Sequence, residues 1–192
     1  QVVSRDHVYV IPPNTIIKIE ANTLQLQLPT EPRGFRMPVD HFLASLGEDR
    51  RQRAVGIVFS GTGSDGTSGL RMIKSSGGLT IAQDPATAEQ TGMIRSAIEM
   101  GVVDHVLPIS EMPGHIVQYA RHAYTNEDEP EPSDLVKDDT DLSGALAILR
   151  ARVRLDFSSY RKGTIRRRMQ RRMGIRQIET IPQYMDLLRD DP

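Results

Sequence analysis

The sequence predicts an α/β domain with a largely parallel sheet and helices on both faces, followed by an acidic linker and a small all-α subdomain. Three observations lead to this prediction. Apolar runs of strand length alternate with helical patterns over residues 1–124, as they do in parallel α/β domains. Residues 125–140 are acidic and contain proline, with almost nothing to bury, which is typical of a solvated linker. Residues 141–192 then show helical apolar spacing.

The first elements are predicted to be strands. Residues 7–11 are apolar and β-branched, and a Pro-Pro-Asn turn follows them. Apolar and polar residues then alternate over 15–20 and 23–28 on either side of Ala21-Asn22, which is the signal of a β-hairpin. Pro38 precedes apolar residues at the spacing of a short helix.

A strand, a glycine-rich turn and a helix are predicted next. Residues 55–59 form a continuous apolar run, which indicates a strand covered on both faces. Gly77-Gly78 ends the helix that follows the turn. The remaining predicted elements are a strand at 79–83, a helical stretch at 97–100, a strand at 102–107 and a helix over 109–124.

Three helices are predicted after the linker. Two apolar stripes recur at helical spacing, and their members are Leu142, Leu146, Leu149 and Val153, then Ile165, Met169 and Met173. Thr180 stands three residues before Gln183, which is the spacing of a capping box at the start of a third helix.

Composition excludes several classes of function. The 192 residues include no cysteine, so a disulfide framework, a thiolate zinc site, an iron–sulfur cluster and a cysteine nucleophile are all impossible. The five histidines lack metal-ligand spacing, and no metal site is predicted.

No apolar run reaches the roughly 20 residues of a membrane span, and no leader opens the chain, so we expect a cytoplasmic protein without membrane insertion. Because the chain opens on Gln1 close to a predicted strand, we expect a fragment of a longer protein.

Charge is distributed unevenly along the chain. The formal net charge is −1, yet residues 126–141 carry one base and eight acids, and residues 142–192 carry 12 bases and five acids. The chain is therefore a neutral body, an acidic strip and a basic tail.

The glycine-rich turn allows two different interpretations. Gly61, Gly63 and Gly66 have the spacing of a dinucleotide-binding fingerprint, and Asp84 stands 18 residues after Gly66, where a ribose-binding carboxylate is expected. An NAD(P)-dependent dehydrogenase is therefore one candidate. Asp65 lies inside the turn, however, where its charge would repel a pyrophosphate.

Asp65 itself can serve in two ways. A carboxylate at the carboxyl end of a parallel strand is well placed to orient a catalytic histidine and to stabilise its imidazolium form. The alternative is an ordinary helix N-cap, the commoner role for aspartate in a strand-to-helix turn. Spacing alone favours the cap.

Six ordered blocks of sequence bear on this choice. They are Val8-Tyr9-Val10-Ile11-Pro12-Pro13, Arg36-Met37-Pro38-Val39-Asp40, Val58-Phe59-Ser60-Gly61-Thr62-Gly63-Ser64-Asp65-Gly66-Thr67, Ile81-Ala82-Gln83-Asp84-Pro85-Ala86-Thr87-Ala88, Gly92-Met93-Ile94-Arg95-Ser96-Ala97-Ile98 and Gly101-Val102-Val103-Asp104. Over about 110 residues they resemble the CheB family of chemotaxis protein-glutamate methylesterases. The resemblance implies an incomplete, Rossmann-like methylesterase domain.

The resemblance also implies roles for the turn. Asp65 would be the acid of a Ser-His-Asp triad that hydrolyses methyl-glutamate esters, within an active-site turn formed by Gly61, Thr62, Gly63 and Gly66. Thr62 stands where stand-alone members carry a methionine near the oxyanion site. This replacement of the methionine resembles the variants that are fused to a methyltransferase. The family's serine and histidine lie upstream of the segment where this chain begins, so we expect the chain alone to be inactive. Ser60 and Ser64 are interpreted as turn residues and His7 as a strand-edge histidine.

The basic tail has three possible interpretations. Between Arg150 and Arg176 there are 11 Lys or Arg and one acid. Such a helix can contact nucleic-acid phosphates, grip the carboxylates of an acidic protein helix, or present a solvated face balanced by the acidic strip.

Three blocks of the tail favour the second interpretation. They are Leu149-Arg150-x-Arg152, Asp156-Phe157-Ser158-x-Tyr160-Arg161-Lys162-x-Thr164-Ile165-x-Arg167-Arg168-Met169-x-Arg171-Arg172-Met173 and Tyr184-x-x-Leu187-Leu188-Arg189. They are similar to the N-terminal helical subdomain of CheR-type methyltransferases. The resemblance implies that Arg161, Arg168, Arg171 and Arg172 engage glutamate-rich helices of methyl-accepting chemotaxis receptors, and nucleic acid is not expected as a partner.

The two resemblances together indicate part of a CheB–CheR fusion protein. Its domains would be residues 1–124, the linker 125–140 and residues 141–192. The family's S-adenosylmethionine-binding domain would follow Pro192, so we expect no cofactor in this fragment and S-adenosylmethionine in the missing part of the parent.

Overall fold

A computed structural model describes residues 1–32, 36–122, 139–153, 157 and 159–190. The chain divides into two compact units, Gln1–Gly114 and His115–Pro192. No helix in the described residues is both long and apolar enough to cross a membrane.

The first unit contains the predicted β-hairpin. Strands β1 (Ile16–Glu20) and β2 (Thr23–Gln27) pair antiparallel, with Ile19 opposite Leu24. Ala21 and Asn22 between them have φ angles of 46° and 63°. Two left-handed residues in succession make the tight turn whose twist matches that of the flanking strands, so the hairpin prediction is confirmed.

The strand predicted at residues 7–11 is wrong. This segment is not in a strand, and the side chains of Val8 and Val10 are 92% and 83% exposed. In the described residues the bridge near this end of the chain is made by Val2 with Thr23. β-Branched residues favour a strand only when a neighbouring strand receives their hydrogen bonds and covers their side chains.

The remaining elements of the first unit alternate between helix and strand. They are α1 (Pro38–Arg50), β3 (Val55–Val58), α2 (Thr67–Ser75), β4 (Leu79–Gln83), α3 (Gly92–Glu99), β5 (His105–Leu107) and the start of α4 (Met112–Arg121), with short 3₁₀ turns at Arg51–Arg53 and Pro85–Thr87. The three strands are parallel in the order β3-β4-β5. The α/β prediction with a parallel sheet is confirmed.

Two strand details differ from the sequence prediction. β4, the central strand, is buried along its whole length, whereas β3, one of the two edge strands of the described sheet, buries Gly56 and Val58 and leaves its other residues half-buried. β5 begins at His105 and omits Val102. The N–H of Val102 closes α3 on Ala97, and its carbonyl accepts the Thr80 hydroxyl at 2.8 Å, so neither group is left for a strand ladder.

One apolar core holds the first unit together. It is formed by Leu43, Ala54, Val58, Leu70, Ile73, Ala82, Ile94, Ala97 and Val102. Glycines allow the close approach of α1 and α2: a Cβ on Gly69 would lie 2.6 Å from the Cβ of Leu43, and one on Gly47 would lie 3.0 Å from the backbone N of Ile73. These two helices therefore pack almost backbone to backbone.

The second unit contains the three predicted helices, α5 (Asp139–Val153), α6 (Lys162–Arg176) and α7 (Ile181–Asp190). Their shared core is formed by Leu142, Ala145, Ile165, Met169, Met173, Ile181, Tyr184 and Leu188. Asp139 and Thr140 were predicted to lie in the linker and are helical instead. The rest of the predicted linker lies outside the described residues.

Helix α5 begins early because its first residue is anchored. The Asp139 carboxylate accepts hydrogen bonds from Lys162 at 2.9 Å and Arg166 at 2.6 Å. The bond and charge of Lys162, together with the charge of Arg166, lower the pKa of this exposed carboxyl below its usual value. An acidic residue in the first helical turn is also favoured by the helix dipole.

Candidate active site

Asp65 lies in the turn that joins β3 to α2 and is half-buried. Its Oδ2 accepts the backbone N–H of Val39 at 3.1 Å, and its Oδ1 accepts that of Asp40 at 2.9 Å. Both N–H groups belong to the first turn of α1, which has no side-chain cap at Met37. Asp65 therefore caps α1, and the positive end of that helix favours its negative charge.

The cap interpretation identified the right chemistry and the wrong helix. Asp65 immediately precedes the N-cap of α2, which is Gly66 with φ 97° and no side-chain cap bond. A left-handed φ at this position suits glycine. The space is tight as well, since a Cβ on Gly66 would lie 3.1 Å from side-chain carbons of both Val39 and Val58.

A second aspartate closes the contact between the two helices. Asp40, in the first turn of α1, accepts the backbone N–H of Gly69 at 2.7 Å through its Oδ1. Gly69 lies in the first turn of α2. Each helix is thus capped by an aspartate from the other helix or its leading turn. Asp40 was not among the site residues predicted from the sequence, although an acidic residue three positions into a helix begun by proline is a recognised first-turn signal.

The turn backbone is engaged by the segment that leads into α3. The Gly61 N–H donates to the carbonyl of Gln90, and the Gly61 carbonyl accepts the N–H of Met93, both at 3.0 Å. A Cβ on Gly61 would collide with the sulfur of Met93. Thr62 and Gly63 are exposed, and Gly63 has a φ of 79°. The turn therefore presents Thr62 and Gly63 to solvent and holds Gly61 and Gly66 inside.

This geometry does not support a dinucleotide cradle. The amides that would face a pyrophosphate are used internally: the Gly61 N–H by Gln90, and the Gly69 N–H by the carboxylate of Asp40. Asp84 accepts the N–H of Ala86 at 2.9 Å and caps its own 3₁₀ turn. A helix N-terminus already occupied by a carboxylate has little attraction for a phosphate.

Ser60 behaves as the turn residue that the sequence predicted. Its Oγ accepts the N–H of Gln90 at 3.0 Å, and its own N–H donates to the side chain of Gln83 at 3.0 Å. Gln83 is 3% exposed, and its Nε2 donates to the carbonyl of Thr87 at 2.9 Å. This buried amide, which was not predicted as a site residue either, joins the turn after β3 to the loop after β4.

The structure brings no histidine to Asp65 among its described hydrogen bonds. His7, predicted at a strand edge, is exposed in a non-strand segment, where its Nδ1 lies 2.7 Å from the carbonyl oxygen of Arg5. Within the described ranges, no group of three or more His, Cys, Asp or Glu side chains could hold a metal ion.

The four predicted receptor-binding arginines, at the start of α6 and within it, fall into two pairs. Arg161 and Arg168 are exposed, whereas Arg171 and Arg172 are half-buried. Arg172 hydrogen-bonds the phenol of Tyr184, whose pKa is raised by burial against the opposing charge of Arg172. Arg161 is the N-cap residue of α6 and has an extended backbone, whereas Arg168 lies within the helix, seven residues later.

The chain matches two family models. The CheB methylesterase model covers residues 1–116, and the model of the CheR methyltransferase all-alpha domain covers residues 140–192. In the solved structures, the chain resembles the CheB methylesterase catalytic domain of Thermotoga maritima, with a TM-score of 0.50 and 29% identity over 57% of this chain and 60% of that one.

Curated relatives extend the comparison. An uncharacterized 104.1 kDa protein of Rhodobacter capsulatus is 35% identical over an alignment 206 residues long, which covers 97% of this chain and 22% of the relative. The protein-glutamate methylesterase/protein-glutamine glutaminase 2 of Anaeromyxobacter dehalogenans is 42% identical over 87 residues, 45% of this chain and 26% of the relative. The protein-glutamate methylesterase FrzG of Myxococcus xanthus is 37% identical over 113 residues, 58% of this chain and 34% of the relative.

The chain spans between about a fifth and a third of the length of these three relatives. The methylesterase model covers more than half of the chain, and the Rhodobacter capsulatus relative aligns across both matched segments. The chain thus belongs to the CheB methylesterase family and joins to that segment a CheR-type all-alpha domain, as in a chemotaxis methylesterase–methyltransferase fusion.

Proposed function

We propose that the longer protein containing this chain removes and installs methyl groups on receptor glutamates. Residues 1–124 would contribute to the esterase, residues 125–140 would form a linker whose last two residues already belong to α5, and residues 141–192 would contribute to receptor docking by the transferase. The methyl donor, S-adenosylmethionine, would bind outside this chain. The adjacent matches to CheB and CheR models support this proposal.

The observation that carries the esterase proposal is the fixed carboxylate of Asp65. In ester hydrolysis, a serine Oγ would attack the methyl ester carbonyl while a histidine accepts its proton; methanol leaves with that proton, and water then hydrolyses the acyl-enzyme. An aspartate on the histidine holds one tautomer and stabilises the imidazolium. Because the N–H groups of Val39 and Asp40 hold both oxygens of Asp65, this carboxylate is oriented before any histidine reaches it.

The decisive variant is Asp65→Asn in the longer protein, assayed by methanol release from methylated receptor. An amide cannot stabilise an imidazolium, so kcat should fall by about 10⁴-fold, the scale of the same change in serine-protease triads. Ser64→Ala is the matched control because Ser64 is an exposed neighbour in the same turn. Unchanged turnover of Asp65→Asn would leave Asp65 as a helix cap and refute the esterase role.

The 192-residue chain alone should release no methanol, since it would lack the nucleophile and the base. Ser60 is the nearest candidate nucleophile by sequence, and its Oγ is already bonded to the N–H of Gln90. Activity of the isolated chain that disappears in Ser60→Ala would contradict this expectation.

NAD added at millimolar concentration should not change the melting temperature of the chain. A saturable increase in melting temperature would instead support the dehydrogenase alternative.

The docking proposal depends on the exposed face of α6. Arg161 and Arg168 are exposed and can form bidentate pairs with carboxylates, whereas Arg171 and Arg172 are half-buried. A glutamate-rich receptor peptide should bind the chain and resist displacement by duplex DNA at physiological salt. Salt dependence by itself does not separate the two partners, because both contacts are ionic.

Arg168→Glu tests which partner the helix prefers. The change removes a cation at the centre of the exposed face and adds repulsion, so peptide binding should weaken more than in Arg189→Glu. Arg189 is a suitable control since it is exposed and pairs with Asp186 at 2.6 Å on its own helix. Tighter binding to DNA than to peptide, with equal effects of both variants, would refute receptor docking.

A further inference from the structure

We propose that Asp40 is a positioning residue for Asp65, acting through the first turns of α1 and α2. The inference rests on the proposed esterase function, in which Asp65 is the triad acid. Asp40 would touch neither substrate nor histidine. Its carboxylate would instead keep in place the two N–H groups that orient Asp65.

The contacts form a closed ring. Asp65 accepts the N–H groups of Val39 and Asp40 at 3.1 and 2.9 Å. Asp40 in turn accepts the N–H of Gly69 at 2.7 Å. Gly69 is covalently connected to Asp65 through only three intervening residues. The two N–H groups that orient the Asp65 carboxylate are therefore connected, through the Asp40 side chain, to the first turn of α2.

The ring is needed because α2 provides no cap of its own. Its N-cap is Gly66, which has no side chain to bond the first-turn amides. Without Asp40, the N–H of Gly69 would lose its partner, and an unsatisfied amide is costly at a helix junction. The junction is also tightly packed, since a Cβ on Gly69 would lie 3.0 Å from the Cα of Asp40.

Val39 packs against the glycine-rich turn, so the junction between α1 and α2 also depends on the position of that turn. Val39 donates to Asp65, and its Cγ1 would lie 3.1 Å from a Cβ on Gly66. A shift of α1 would thus change both the hydrogen bond from Val39 to Asp65 and the packing of the Val39 side chain next to Gly66. Misplacement of a catalytic group by about 1 Å can lower a rate by about 100-fold.

The test compares Asp40→Ala with Asp40→Asn in the longer protein. Alanine removes the acceptor for Gly69, so kcat should fall by roughly 10- to 100-fold with KM unchanged. Asparagine keeps an acceptor oxygen, so kcat should stay within about threefold of the parent value. Equal losses in the two variants would overturn the inference, because the acceptor would then not be what matters.

A second readout does not depend on esterase activity. In the 192-residue chain, hydrogen exchange at the amides of residues 39 and 40 should accelerate in Asp40→Ala and stay near the parent rate in Asp40→Asn. Unaltered exchange in Asp40→Ala would overturn the proposed link between Asp40 and the two backbone hydrogen bonds that orient Asp65.

Val102→Ala controls for loss of stability alone. Val102 is a core residue that precedes β5, at the end of the sheet opposite the turn. It should lower the melting temperature and leave kcat unchanged at a temperature well below melting. A similar loss of kcat in Val102→Ala would reduce the Asp40 effect to general destabilisation and overturn the inference.

The failure of this inference is distinguishable from failure of the proposed function. If Asp65→Asn abolishes turnover and Asp40→Ala keeps the parent kcat, the positioning role is refuted and the esterase stands. If Asp65→Asn keeps the parent turnover, the esterase role of Asp65 is refuted, and the positioning role falls with it.

Discussion

Replacing Asp65 with alanine should loosen the start of α1 and leave the start of α2 much less affected. The change removes the acceptors of two backbone N–H groups, those of Val39 and Asp40. Loss of a single capping side chain costs about 0.5 to 2 kcal/mol. Since this cap is charged, half-buried and serves two amides, we expect about 2 kcal/mol, near the upper end.

Asparagine should have a smaller effect on stability than alanine. Its side chain offers one acceptor oxygen, which can keep one of the two bonds, while its NH₂ group faces the second N–H. We expect a loss of about 1 kcal/mol for Asp65→Asn. In the catalytic assay, by contrast, both variants should be severely impaired. Stability and turnover therefore report different properties of the same carboxylate.

Hydrogen exchange of backbone amides is the appropriate assay, because it reports each helix start separately. A loss of 1 to 2 kcal/mol in local opening corresponds to roughly 5- to 30-fold faster exchange. We expect this acceleration at Val39 and Asp40 in Asp65→Ala. Ser64→Ala, an exposed change in the same turn, should stay within about 0.5 kcal/mol of the parent.

The pattern of exchange can refute this reasoning. Acceleration confined to the first turn of α2 would mean that Asp65 caps the helix it precedes, as its position in the sequence suggests. Exchange at Val39 and Asp40 that does not change would mean that the two hydrogen bonds contribute no stability.

Three further predictions follow from the buried contacts. Gln83→Leu should destabilise the first unit by about 3 kcal/mol, because the buried amide serves Ser60 and Thr87; a melting temperature equal to that of the parent would contradict this. Gly66→Ala should cost at least about 1 kcal/mol, since φ is 97°; urea unfolding with an unchanged midpoint would show that the turn relaxes. Burial raises the pKa of Tyr184 above 10.0, so the unfolded state ionises first and the stability of the second unit should fall as pH rises past that value. Tyr184→Phe should remove this fall in urea midpoints measured across the alkaline range, and an equal fall in the variant would assign it to another group.

Local patterns in the sequence were sufficient for most of the elements. Alternation around Ala21-Asn22 predicted the hairpin, because both the turn and the strand period are properties of neighbouring residues. Helical spacing predicted α5 and α6 for the same reason. The segment 7–11 failed because a strand also needs a partner to pair with, and no local pattern provides one.

Exposure of the basic helix required the tertiary structure. The sequence placed four arginines together on one segment, yet Arg172 turns toward the buried phenol of Tyr184 while Arg161 and Arg168 stay exposed. Helical periodicity identifies a common face, but the packing of α7 decides which of its cations are covered.

At the candidate site, the sequence by itself determined that Asp65 lies in a glycine-rich turn after an apolar strand, and its ordered motifs determined the family. The tertiary structure decided which helix Asp65 caps and which residue caps α2 in return. Val39 and Asp40 lie 26 and 25 positions before Asp65. A backbone N–H has no side-chain signature, and a carboxylate can accept from any helix start that packing brings within reach, so only the close packing of α1 on α2 could select these partners.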